Sequence, residues 1–236
     1  MENDFLSEAK SFFSPEFVNN MALSLNEEAA AVNRAMEAVI PLSVGAIIQK
    51  ANTGKEAVAA LYNSANNATD YFPPKPDLGK LHDEGAGSAL VSEYLGTHAT
   101  AVSHAVARYA GIKNESGGPL FTLSLPMLMR KLGEMVKSKG HSAEDLGRFV
   151  NGLKDSVKAD LPAGIEKVGA LVGLSTDQID EKHIKDYVES NVAQPKNKGW
   201  ILPIILVLLG LALLIYFSKG CSSTTGVVSG LPFLIH

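Results

Sequence analysis

The chain has 236 residues, with 21 Lys plus Arg against 25 Asp plus Glu, a formal net charge of −4 and a hydrophobic share of 46%. That share is enough to bury a core and excludes a disordered stalk, and the mild acidity leaves no broad basic face of the kind that nucleic acid requires. The only cysteine is Cys221, so the first 198 residues suit a reducing compartment.

The chain opens on "MENDFLSEAK", acidic and without a basic stretch leading into an apolar one. No cleavable signal peptide is expected, and the front part should stay in the compartment where it is made. Ser14-Pro15 predicts a helix cap followed by the first helical residue, and Asn26-Glu27-Glu28 opens a second helix. Thr53-x-x-Glu56, Ser142-x-x-Asp145 and Ser175-x-x-Gln178 resemble capping boxes. Gly111, Gly140 and Gly173 stand where helices should stop. Hairpin dipeptides and alternating β-branched runs are scarce, so the soluble part, residues 1–190, is expected to be all-α.

Two stretches look alike: "AVIPLSVGAIIQKANTGKEAVAALYN" (38–63) and "LSLPMLMRKLGEMVKSKGHSAEDLGRFVN" (123–151). Each sets a proline, Pro41 or Pro126, inside an apolar helix, then a basic-polar end, a cap and an amphipathic helix. The proline-to-cap spacings are 12 residues to Thr53 and 16 to Ser142, a difference of about one helical turn. An interior proline costs roughly 3 kcal/mol through its missing N–H and its clash with the preceding turn. Its repeated use predicts a shared packing role. With the matching upstream elements "PEFVNNMALSLNEE" and "AVSHAVARYAGIKNES", the pattern predicts a duplicated helical unit, about 14–68 and 98–155. Between them, "NNATDYFPPKPDLGK" carries three prolines in four positions and cannot be helical through its centre. The pattern leaves open whether the units share one core.

Candidate chemistry is thin. His98 and His104 are six apart, about 240° round a helix, and so face apart rather than forming a two-histidine metal pair. Solvated or half-buried side chains are expected. Glu84-Gly85-Ala86-Gly87-Ser88 lacks the Gly-Lys-Ser/Thr ending of a phosphate loop and is read as a flexible helix junction. No Gly-x-Ser-x-Gly, His-Glu-x-x-His or Cys-x-x-Cys pattern occurs. No catalytic, cofactor-binding or metal-ligating residue is assigned, and no cofactor is expected.

Beyond a short linker, 191–198, comes "KGWILPIILVLLGLALLIYFSKGC". Residues 200–217 are 18 in a row without a charge, near the lower length that crosses a hydrocarbon core of roughly 30 Å. A buried helix of a soluble core would show polar residues every turn or two. Here the ends are instead dressed as membrane ends: Trp200 and Tyr216 at the two headgroup levels, Lys198 and Lys219 outside them. A transmembrane helix is therefore predicted over 199–218, contacting membrane lipid, with Pro203 harmless in its first turn. Lys182, Lys185, Lys196 and Lys198 precede the span and only Lys219 follows it. This bias places the N-terminal side in the cytoplasm and the tail, 219–236, outside. Cys221, at the boundary, is expected unpaired or acylated near the membrane, with an interchain disulfide to a second copy as the other reading.

The two helical cores "IPLSVGAII" and "LPMLMRKLG", the middle "GAGSALVSEYLG" and the spanning helix ending "YFSKGC" resemble the YidB-like bacterial family of unknown function. The likeness covers roughly residues 5–222 and is nearest to membrane-anchored members of cell-envelope proteins, in which an OmpA-like peptidoglycan-binding domain commonly follows the span. The resemblance implies no catalytic residues. Only "SSTTGVVSGLPFLIH" follows Cys221, too short for that domain.

Together these features predict a non-enzymatic, single-pass protein of the inner membrane. Its cytoplasmic helical domain would make contacts with unidentified protein partners, a second copy included, and none with nucleic acid. The alternative is a structural envelope protein acting with a peptidoglycan-binding domain absent from this chain.

Overall fold

The computed structural model describes residues 2–80 and 85–175. Linker 191–198, span 199–218 and tail 219–236 lie outside the described residues, and so do Lys198, Trp200, Tyr216, Lys219, Cys221 and the Gln178 end of the third capping pattern. Among the described residues the chain is all helical, with no strand. Helix α1 is Glu2–Ser11, α2 Pro15–Leu25, α3 Ala29–Ala51 and α4 Lys55–Tyr71. Next come α5, Ala86–Leu95, α6, Ala99–Ala110, and α7, Asn114–Lys139, followed by α8, Ala143–Gly152, and α9, Lys154–Ala159. Short 3-10 turns lie at Leu78–Lys80, Gly96–His98 and Glu166–Val172.

Local chemistry sets most of these boundaries. The Ser14 hydroxyl accepts the Phe17 N–H at 3.2 Å, with Pro15 pre-set as the first helical residue of α2. Ser142 and Asp145 form a reciprocal capping box: the Ser142 hydroxyl accepts the Asp145 N–H at 3.2 Å, and the Asp145 carboxylate accepts the Ser142 N–H at 2.9 Å. Gly111 and Gly140 close α6 and α7 in the left-handed conformation, and Asn26 does the same for α2. Thr53 departs from expectation. The cap of α4 is Gly54, and the Thr53 hydroxyl instead donates back to the Lys50 carbonyl at 2.8 Å, closing the end of α3. A threonine just past a helix can satisfy either the orphan N–H groups ahead or the orphan carbonyls behind, and here the carbonyls win.

The long helices α3 and α7 form the centre. Pro41 lies 13 residues beyond Glu28, the cap of α3, and Pro126 lies 13 beyond Lys113, the cap of α7. At that common register 14 of the 16 buried residues of α3 fall on buried residues of α7, so both helices are sunk in the core over the same stretch. The corners leading into them also match. Asn26 and Gly111 are both left-handed, and Glu27 and Ile112 each donate to the carbonyl five residues back, Ala22 and Ala107, at 2.9 Å. The corners meet: the Glu27 carboxylate accepts the Lys113 N–H at 2.8 Å and the Ser116 hydroxyl at 2.7 Å, and so caps the start of α7. Where α3 and α7 cross, the Ser43 and Ser124 hydroxyls share a 2.9 Å hydrogen bond, both fully buried.

The outer elements pack crosswise. Helix α4 lies chiefly on α7, whereas α8 lies on α4 and α3, and α9 and the last 3-10 turn lie on α3. Gly133 of α7 makes the first contact possible, since a Cβ there would sit 1.9 Å from the Ala65 carbonyl oxygen. A single hydrophobic cluster therefore runs from Phe5 to Leu174. Helix α3 is long and apolar enough to cross a membrane by length and composition, yet 83% of its most apolar window is buried within the bundle. In this fold it is the core helix.

Candidate functional site

Pro126 has no N–H for the carbonyl of Thr122, four residues earlier in α7. That turn of α7 forms one wall of a cleft of 330 Å³, through Thr122, Leu123, Pro126 and Met127. The start of α5 supplies the second wall, Ala86 and Gly87, and the chain leaving α4 supplies the third: Tyr71, Phe72, Pro73, Pro76 and Asp77. The volume falls near the lower end of the roughly 300–1,000 Å³ usual for small-molecule sites, and the apolar lining with few polar groups matches their chemistry.

Each wall is held by an identifiable interaction. The Arg130 guanidinium donates to the carbonyls of Thr69 at 2.8 Å and Phe72 at 2.6 Å, and Lys137 reaches the Thr69 hydroxyl and, at 3.1 Å, the Asp70 carboxylate. Two cations of α7 thus fasten the C-terminal end of α4, where orphan carbonyls favour positive charge. Pro73 and Pro74 then prevent further helix, and the chain runs on non-helically to Asp77, whose Oδ1 accepts the Gly79 N–H at 2.9 Å. Gly87 sets the second wall, because a Cβ there would lie 2.5 Å from the Thr122 carbonyl oxygen. Only glycine lets α5 come this near. Tyr94 and Leu95 anchor the other end of α5 in the core, where burial, with a smaller contribution from the Glu93 carboxylate, pushes the Tyr94 phenol well above its ordinary range.

The cleft is open at Tyr71, which is 78% exposed although it forms part of the lining. Among the described residues, Asp77 is the one charged residue in that lining. Two other clefts differ. One of 430 Å³ beside α3 holds Lys10, Asn33, Glu37 and Asp160, but Lys10 pairs with Asp160 at 2.7 Å and Asn33 with Glu37 at 3.2 Å. The other, beside α1, includes Glu8 and Lys131, which form an ion pair. In the first, only Asp160 Oδ2 is left buried without a partner among the described residues, and in the second Glu134 pairs with Arg130 outside the lining.

Of the residues singled out in the sequence, Pro41 and Pro126 are both buried, and Pro126 lines the cleft. His104 is exposed and His98 half-buried, as expected. Gly85 is the cap of α5, so the glycine-rich stretch is a helix start. Among the described residues no group of three or more His, Cys, Asp or Glu is placed to hold a metal ion. Gly87, Thr122 and Asp77 were not legible as neighbours. Their only sequence signal is indirect: a proline that leaves one carbonyl without its helical donor, and a proline-rich exit from the preceding helix.

A family model described as "Bacterial protein of unknown function (DUF937)" matches residues 8–135, which contain all three walls of the cleft. No curated protein and no solved structure matches the chain.

Proposed function

The chain belongs to this bacterial family of unknown function, and on that premise we propose that it is a membrane-anchored helical interaction module without catalytic activity, whose contact site is the cleft beneath Tyr71. The observation that carries this reading is the pairing of an exposed aromatic residue with an open apolar cleft. The uncharged run 200–217, with Trp200 and Tyr216 at its ends and Lys198 and Lys219 outside them, supports a spanning helix contacting lipid. The four lysines before it, against one after, support a cytoplasmic body at the inner membrane and a tail outside. Tethering would confine partners to the membrane surface and raise their effective concentration, so a modest cleft can suffice.

Within the same proposal the body is an internal duplication of the YidB-like kind, α2 to α4 and α6 to α8. The equal proline register, the matched corners and the shared buried positions support it. The resemblance to anchored envelope proteins favours a second reading, a structural role alongside an OmpA-like domain that grips peptidoglycan. Cosedimentation with purified sacculi would favour that reading.

Two measurements test the first. An impermeant thiol reagent applied to intact cells should label Cys221 and leave a cysteine placed at the exposed Asn63, in a Cys221→Ser background, untouched; labelling at 63 would sink the topology. A photo-crosslinking residue at position 71 should give a discrete adduct in the membrane fraction that Ala86→Trp, which plugs the cleft mouth, removes. An adduct that survives the plug would mean that contacts are made elsewhere.

A further inference from the structure

Resting on the reading of the cleft as the contact site, we propose that it selects an organic cation: a positively charged nitrogen carried on a compact apolar body. Its one charged group among the described residues is an acceptor, and the donors that it also offers are uncharged: the Tyr71 phenol and the first N–H groups of α5, at Ala86 and Gly87, for which the cap Gly85 has no side chain. Asp77 uses Oδ1 on the Gly79 N–H, which leaves Oδ2 for a ligand. The Thr122 carbonyl has lost its helical donor to Pro126, and the Thr122 hydroxyl donates to the Gly118 carbonyl at 3.4 Å. Among the described residues, no Lys or Arg belongs to the lining. The nearest basic groups on α7, Arg130 and Lys137, are engaged with Thr69, Asp70 and Phe72 at the end of α4.

An anionic ligand would gain the partial positive charge at the start of α5 but meet the full negative charge of Asp77, with no Lys or Arg among the described lining residues to offset it. A neutral one would fill the apolar walls but leave Asp77 to water. A cation gains both the carboxylate and the aromatic rings of Tyr71 and Phe72, whose faces attract positive charge. Prolines 73, 76 and 126 supply rigid apolar surface on either side, so little order has to be created on binding. The 330 Å³ volume suits a group the size of a substituted benzene rather than a long acyl chain.

The test uses the full chain in zwitterionic lipid nanodiscs and three matched probes: benzyltrimethylammonium, benzyl alcohol and phenylacetate. Binding is read from the isotope-labelled methyl resonance of Met127, which lies in the wall. Benzyltrimethylammonium should shift it with an affinity roughly fivefold above that of the alcohol, the scale of one cation–π or exposed charge contact, and phenylacetate should leave it unmoved. Asp77→Asn, which keeps an acceptor for the Gly79 N–H, should remove that preference while the alcohol binds as before. Ala86→Trp should abolish both shifts.

Equal affinity for cation and alcohol, or a preference that persists in Asp77→Asn, would overturn the cation assignment and leave the cleft standing as a contact site. Silence from all three probes would overturn the assignment as well. If the position-71 adduct is also indifferent to Ala86→Trp, the contact-site reading goes with it.

Discussion

Ser43 and Ser124 show how a single polar pair can mark a packing arrangement. Both hydroxyls are fully buried, one on each central helix, and each is the other's partner. Removing one leaves the other reliant on a long contact, such as that between Ser124 and the Phe121 carbonyl at 3.4 Å. Ser43→Ala should therefore cost about 1–3 kcal/mol, and Ser43→Ala combined with Ser124→Ala should cost clearly less than the sum of the two single changes. Urea unfolding of the four members of that cycle measures the coupling; strict additivity would show that the bond contributes nothing specific. Neither serine announces this role in the sequence, because they are 81 residues apart and a serine in an apolar helix ordinarily bonds to its own backbone.

At the scale of elements, caps and close approaches decide the outcome. The Ser142 hydroxyl and backbone N–H, followed by Arg148, hold the Asp145 carboxyl down to about 2 from an ordinary 3.8. A depressed carboxyl stabilises the folded state above its unfolded value, so this contribution is complete above about pH 4 and lost as the pH falls through about 2. Ser142→Ala should cost about 1 kcal/mol as an N-cap deletion. It should also return the Asp145 titration, followed by NMR, toward 3.8; an unmoved titration would assign the shift to Arg148 instead. Gly133→Ala makes a sharper demand, since its Cβ would meet the Ala65 carbonyl at 1.9 Å and force α4 away from α7. A loss of about 1–3 kcal/mol is expected from such overpacking, together with loosening of the Arg130 clasp on Phe72. Thermal melts and the Met127 methyl resonance report the two effects separately.

For the whole molecule, the consequence of crosswise packing is that neither half owns its core. Helix α4 of the first half lies mainly on α7 of the second, while α8 of the second lies on α4 and α3 of the first and α9 on α3. Fragments 1–84 and 85–175 should each lack cooperative unfolding when made alone, because each would expose the apolar surface that its counterpart covers. Mixed, they should regain a single transition by circular dichroism. Independent cooperative melting of either fragment would show two cores where the structure shows one cluster.

What the sequence determined by itself was local or periodic. The all-helical class, the caps at Ser14 and Ser142, the glycine stops and the interior prolines Pro41 and Pro126 all follow from side chains acting on backbone within a few residues. Thr53 shows the limit of that reach, since a hydroxyl between two helix ends can serve either, and the structure has it serve α3 rather than α4. Only the tertiary structure decided that the halves share one core, that two serines meet at its centre, and that Pro126 shares a cleft with Gly87 and Asp77. Those facts depend on which apolar face meets which. Apolar faces attract without direction in proportion to buried area, so their pairing is settled by steric fit over the assembled chain.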